Sequence, residues 1–537
     1  MLRRRFPSMG SMPNLALPFL LAAVTVFQGG CGGGGSGASM GSSSASPNPS
    51  PATPSVTVMP ASTSVTQGET LSTTVTVSGK SSTPTGSVVL SSGNFASFST
   101  TLNGGSAAIG VPVALLAAGS ATLTATYTPD SASSSEYAVA TGAVALTVAA
   151  PAGSLTVSAT DETYPTVGPP FQAAVTSSGT VLVSVASQGI QVFAPGANGL
   201  TPACVNALPS SVSGEGAAAA DLSFIPDGTD VAVGIGSPGA SFFNVAALET
   251  CSAAGYVVSQ GTIASDQGTL AVVATPDGDY AFVANEYGVA AGASTEGSIG
   301  VVQLQYDANG DVGTGTTLLG QISTGGLAIA GMTLSPDGKR LYVTSEVSAS
   351  SAAAGGNNSI LSEDDCVQVV GSTPQRNGLL TVINVATAES SPGPSAIVST
   401  VDAGCSPVRM AETADQSTLW VAARGDNRVL AFSTGMLESN PGNALLGYAG
   451  TGGTAPVGIN LFHNDQLLVV ANSNRFGAGP TANAAILDVA VPASASVVQT
   501  VPTGLFPREV SVGPDGATLY LTNYDSDTLE VISTDVQ

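Results

Sequence analysis

Between residues 55 and 148 the chain alternates apolar and polar residues in short runs, among them SVTV, LSTTVTV, GSVVL, SATLTATYT and AVALTV, separated by Gly, Pro and Ser. Successive side chains of a strand point to opposite faces, so period two gathers every second residue on one buried surface. About seven such runs in roughly 95 residues predict a two-sheet β-sandwich. It holds no Cys, so it lacks the inter-sheet bridge of antibody domains.

Beyond residue 150 the pattern becomes a repeat. A tight turn recurs at Ser177-Ser178-Gly179, Pro226-Asp227-Gly228, Pro276-Asp277-Gly278, Pro336-Asp337-Gly338, Ala414-Asp415-Gln416, His463-Asn464-Asp465 and Pro514-Asp515-Gly516. Each precedes a strongly apolar run: TVLVSVA, TDVAVGI, YAFVANE, RLYVTSE, TLWVAAR, LLVVANS and TLYLTNY. Pro fixes the first turn torsion, Asp bonds its own backbone and Gly accepts positive φ. A period near 50 residues with several strands per unit predicts a β-propeller, here of seven blades, because one small sheet buries both faces only when neighbours stack around an axis. The last unit ends at Gln537 after three strands, whereas the run GSLTVSATDE at 153 to 162 precedes the first unit without a partner. Pairing the two closes the ring and removes an exposed edge. The expected fold is therefore all-β: a sandwich, then a seven-bladed propeller whose last blade is completed by an N-terminal strand.

The stretches TPTGSVVLSSG and SATLTATYTPD resemble bacterial immunoglobulin-like repeat domains, which implies a spacer or adhesive module. SPDGKRLYVTSE and GPDGATLYLTNY resemble the bacterial propeller repeats named after the tetrapeptide Tyr-Val-Thr-Asn, and about 380 residues are similar to their YncE-like and lactonase-type relatives. Lactonase-type relatives carry a His near the position of Glu509, in PRHV-like segments where this chain reads FPREV, so the resemblance does not carry their activity over.

Composition narrows the partners. Twelve Lys and Arg against 36 Asp and Glu give a net charge of -24, which repels a phosphate backbone and excludes nucleic acid. At the N-terminus Arg3, Arg4 and Arg5 precede an apolar run from 15 to 27 that is too short to span a bilayer, followed by Gly29, Gly30 and Cys31. This resembles a bacterial lipoprotein signal with Cys31 as the lipidated residue; simple secretion is the alternative. The expected division is a signal peptide at 1–30, a Gly/Ser/Pro tether at 31–54, the immunoglobulin-like sandwich at 55–149 and the propeller at 153–537. The four remaining cysteines, in a chain bound for the periplasm or cell surface, suggest disulfides Cys204–Cys251 and Cys366–Cys405. No Cys pair has zinc-ligand spacing and the single His463 is remote, so neither a metal nor a cofactor is expected.

In a propeller the loops at one end of the innermost strands converge on the channel. One position of that ring falls at Gln172, Asp221, Ala271, Gly331, Arg409, Gly458 and Glu509, and second-strand ends add Glu286, Glu346, Arg424, Arg475 and Asp525. The candidate ligand-binding set is Gln172, Asp221, Glu286, Glu346, Arg409, Arg424, Arg475, Arg508 and Glu509, its four arginines suited to the planar fork of a carboxylate or other anion. Asn285, Asn472 and Asn523 read as turn-makers, and Trp420 as core. Glu509, Arg409 and Arg508 are weak candidates for acid–base work. His463 lies in a turn on the other face, beyond reach of any Ser or Cys nucleophile at the ring. The stretch from 347 to 378 is far longer than an ordinary loop, and a Cys366–Cys405 bridge would pin it over the mouth as a lid.

The reading these features favour is a surface-displayed, monomeric propeller that binds or scaffolds a small molecule, glycan or protein at its channel mouth, with a lipid anchor as its only membrane contact. A lactonase-like or other extracytoplasmic hydrolase and a structural surface-layer protein stand as alternatives.

Overall fold

The computed structural model describes residues 50–93, 95–150, 155–197, 199–207, 222–226, 228, 230–234, 239–251, 258–264, 267–287, 296–313, 315–348, 377–477 and 481–537. The signal and most of the tether, with Cys31, lie outside them, as do Asp221, Cys366 and most of the proposed lid.

Alternation produces the first layers as expected. In Thr70–Ser78 every second residue from Leu71 to Val77 is buried. That strand lies between Ser55–Pro60 and Ser106–Pro112 in a three-stranded sheet, and Gly119–Pro129 lies between Ala140–Ala149 and Gly86–Ser92 in a second sheet. Val75, Val111, Val88, Leu90 and Leu123, drawn from both sheets, form one core.

The rest of the described chain makes seven four-stranded antiparallel sheets. Their first strands are Pro170–Val175, Leu222–Phe224, Gln267–Ala274, Gly326–Leu334, Pro407–Glu412, Pro456–Phe462 and Pro507–Val512. Each packs beside the first strand of the next sheet, and the seventh beside the first, so the cycle closes in a β-propeller. The outer strand of the last sheet comes from the beginning of the repeat region: Val157–Pro165 runs antiparallel to Thr528–Val536. It starts four residues later than the run picked out at 153.

The Thr of the repeat has a specific task. Thr344 Oγ1 donates to the Val408 carbonyl of the next sheet at 2.6 Å, and Thr522 Oγ1 donates to the Phe171 carbonyl at 2.7 Å. Such bonds satisfy carbonyls that the inner strands leave open. Approach at the hub is close enough that a Cβ on Gly331 would collide with the Val408 carbonyl and one on Gly458 with the backbone of Glu509. Glycine at these two ring positions therefore lets the inner strands meet.

A disulfide, Cys204–Cys251, joins the outermost strand of the first sheet to the turn after Val245–Glu249 in the second, with Cα atoms 5.8 Å apart. Cys405 is also disulfide-bonded. Disulfides persist in oxidising surroundings, so an extracytoplasmic location follows.

The two-sheet module does not stand free of the propeller. Its Ala96 belongs to a buried cluster with Phe432, Met436 and Leu437. Gly435, in the short helix Thr434–Ser439, approaches the Ala96 carbonyl so closely that any Cβ there would collide with it. Arg340 lies 5.0 Å from the Phe98 ring centroid. This contact involves the fourth and fifth sheets.

Candidate functional site

Six innermost strands share a local irregularity. Strand register shifts between Pro170 and Ala173, Thr269 and Ala271, Ile329 and Gly331, Pro407 and Met410, Pro456 and Ile459, and Pro507 and Glu509. A bulge adds an unpaired residue and re-aims its side chain. The residues inserted include Leu270, Ala330, Val408, Val457 and Arg508, and all five line a cavity of about 170 Å³ at the hub. Sequence reasoning chose the position one step later, since it treated the strands as regular.

Charged groups from five sheets complete this cavity: Glu286, Glu346, Arg409, Arg424, Arg475 and Arg508. Arg409, 9 % exposed, donates from Nε to Glu509 Oε2 at 2.6 Å and from Nη1 to the Ala330 carbonyl. The ion pair joins the fifth sheet to the seventh across Gly458 of the sixth. Arg424, 8 % exposed, donates from Nη2 to Glu346 Oε2 at 2.6 Å, while its buried Nε has no hydrogen-bond partner among the described residues. Burial pushes the Arg424 guanidinium below its ordinary value; Glu346 opposes this and the like charge of Arg475 adds to it.

Aromatic rings hold the remaining cations. Arg508 lies 3.6 Å from the Phe171 ring centroid, with Tyr524 at 5.5 Å and Phe506 at 5.8 Å. Arg475 sits 5.6 Å from the Phe506 centroid and Arg424 5.8 Å from that of Phe476. Stacking of this kind fixes a guanidinium plane without using its N–H donors. The Arg475 guanidinium makes no hydrogen bond or ion pair among the described residues and is exposed.

Of the predicted residues, the structure brings six to the cavity wall and puts Glu509 directly behind Arg409. Gln172 is elsewhere: its Oε1 accepts from Leu222 N at 2.5 Å, tying the first sheet to the second. Asp221 lies outside the described residues. Asn285, Asn472 and Asn523 are fully buried and bond to Ser298, Asn483 and Glu530, a structural role. The aromatic partners were missed. A signal for Phe506 existed: Gly404-Cys405-Ser406-Pro407, Gly453-Thr454-Ala455-Pro456 and Gly504-Leu505-Phe506-Pro507 repeat a Gly-x-x-Pro step, and Ser406, Ala455 and Phe506 all have φ near +50° (49°, 51° and 51°).

Neither a protein-family model nor a curated protein matches the chain. Among solved structures it is similar to Kuenenia stuttgartiensis hydrazine synthase, at 18% identity and a TM-score of 0.47 over 69% of this chain and 97% of that one. A chain of the mitotic checkpoint complex is similar at 12% identity and a TM-score of 0.47, over 69% and 90%. No residue role is carried over from either.

Proposed function

We propose that the protein is an extracytoplasmic binding propeller of seven blades, joined to an immunoglobulin-like module, that takes a small anionic ligand bearing a carboxylate in the cup at its hub. The observation that carries this reading is the convergence of Arg409, Arg424, Arg475 and Arg508 on one small cavity of a protein whose net charge is -24. Two of these groups keep donors in reserve, the exposed guanidinium of Arg475 and the buried Nε of Arg424. A carboxylate entering the cup gains charge-assisted bonds from fixed, partly desolvated partners, and the apolar wall of Leu270, Ala330, Val408 and Val457 suits a short hydrocarbon body. Hydrolysis is the weaker reading, because Glu509 is already bonded to Arg409 and Arg508 is stacked against Phe171.

The test is a thermal-shift and calorimetric titration of the full chain with mono-, di- and tricarboxylates and with inorganic phosphate, at fixed ionic strength. A carboxylate should bind saturably, and Arg475→Ala should weaken it by about tenfold or more through loss of one charge-assisted contact. Binding that survives this change undiminished, or no saturable ligand in the series, refutes the reading. The membrane anchor at Cys31 is part of the same proposal: Cys31→Ala should move the protein from the membrane fraction to the soluble fraction, and unchanged retention would rule the anchor out.

A further inference from the structure

The arginine-lined cup opens onto apolar surface. Among the described residues of the propeller, the three most exposed large apolar side chains are Leu505, Phe476 and Val167, at 65 %, 53 % and 49 %. All three stand in connections at one end of the sheets. Leu505 precedes the inner strand Pro507–Val512, Val167 precedes the inner strand Pro170–Val175, and Phe476 follows the second strand Leu467–Asn472 of the sixth sheet. In an antiparallel sheet the entry to the first strand and the exit from the second share an end, here the end where the bulged residues line the cavity. Apolar side chains scattered singly over a surface need no explanation, whereas a group gathered at the mouth of a charged cavity marks a contact surface.

Contacts tie two of them to the cup. The Arg424 guanidinium lies 5.8 Å from the Phe476 ring centroid, and Leu505 adjoins Phe506, a wall residue whose ring centroid is 5.6 Å from the Arg475 guanidinium. The backbone beneath Leu505 is held on both sides: its N–H donates to Ser526 Oγ at 2.6 Å, and its carbonyl accepts from Asp525 N at 3.1 Å. The connection is fixed while its side chain projects into solvent.

Charge and size narrow what the cup takes. The guanidinium groups of Arg409, Arg424, Arg475 and Arg508 stand against Glu286 and Glu346 in the wall and Glu509 behind it, which leaves one positive charge in excess among the described residues. A single negative charge balances it. At about 170 Å³ the cavity is smaller than the roughly 300–1,000 Å³ of clefts that enclose a whole drug-sized ligand. A longer carboxylate must therefore leave the cup, and the surface it crosses is that of Phe506, Phe476 and Leu505.

We infer that the ligand is an aliphatic monocarboxylate of the fatty-acid class, its headgroup at Arg475 and its chain laid over the rim of Phe476 and Leu505; this rests on the carboxylate reading of the cup. Complete burial of a methylene raises affinity about fourfold, and half-burial about twofold.

The experiment is calorimetry of the full chain with acetate, butyrate, hexanoate and octanoate at fixed ionic strength, together with adipate and hexanamide, which match hexanoate in carbon count but carry a second charge or none. Octanoate should bind at least tenfold tighter than butyrate, and hexanoate at least tenfold tighter than adipate or hexanamide. Leu505→Ser combined with Phe476→Ser, at exposed positions where folding is not at stake, should lower the octanoate-to-butyrate affinity ratio at least threefold. Arg475→Ala should weaken both acids alike. Equal affinity along the series, adipate as tight as hexanoate, or a ratio unchanged in the double variant overturns the inference and leaves the cup a carboxylate site. Hexanamide as tight as hexanoate, or no saturable binding by any acid, overturns the cup reading and this inference with it.

Discussion

Glu509→Ala is expected to destabilise the protein by about 3–5 kcal/mol, because removing one partner of a buried ion pair strands the other charge without compensation. Arg409 and Glu509 are 9 % and 7 % exposed, and their 2.6 Å contact crosses the hub from the fifth sheet to the seventh. Arg409→Met should cost a similar amount by stranding the carboxylate. Replacing both, as Arg409→Met with Glu509→Leu, should recover most of the loss, since apolar groups of similar volume remove the desolvation penalty together with the attraction. Urea unfolding of the four proteins measures this directly. Single variants within about 1 kcal/mol of the parent would mean that water reaches the pair and screens it. Arg409 also lines the cup, so the double variant tests whether a ligand uses it: affinity should survive if the contacts come mainly from Arg424, Arg475 and Arg508.

The repeat was legible because turn chemistry and strand period are local. Pro336-Asp337-Gly338 and the run RLYVTSE identify a unit without reference to the rest of the chain, and the strand pairing of Val157–Pro165 with Thr528–Val536 follows from counting strands. Convergence at the hub was legible for the same reason: Glu286, Glu346, Arg424 and Arg475 stand at the ends of recognisable strands. What sequence could not give was the bulge. A one-residue shift exchanges the faces of a strand, so Arg508 and not Glu509 faces the cup, and nothing in PREVSV marks where the register breaks. Docking of the module was hidden too, because Gly435 and Ala96 are 339 positions apart and each looks ordinary in its own segment.

Stability should fall as pH rises from about 4.3, the ordinary glutamate value, towards 8, and Glu412 is the group to which most of this decline is assigned. Glu412 ends the innermost strand Pro407–Glu412 of the fifth sheet; its Oε1 accepts from the Tyr342 hydroxyl at 3.0 Å, and its buried Oε2 has no hydrogen-bond partner among the described residues. Burial pushes the carboxyl up to about 8. The Tyr342 bond and Arg340 oppose the shift while Asp337 and Asp415 add to it. Arg340 cannot neutralise Glu412 fully, because it is paired with Glu438. In the folded protein Glu412 therefore stays protonated through neutral pH, while in the unfolded chain it ionises above its ordinary value. The native state binds more protons over that interval, so the unfolded state gains up to about 1.4 kcal/mol per pH unit, or about 3.6 kcal/mol by pH 7. Below the unfolded value both states are protonated and the difference vanishes. Glu412→Gln keeps the acceptor for Tyr342 and removes the titration. Its urea midpoint should match the parent near pH 4 and exceed it increasingly between pH 5 and 8. Glu530, whose carboxyl burial also raises, leaves some slope in the variant. Parallel midpoint curves for parent and variant across that range would show that Glu412 ionises normally and that the Tyr342 contact opens to water.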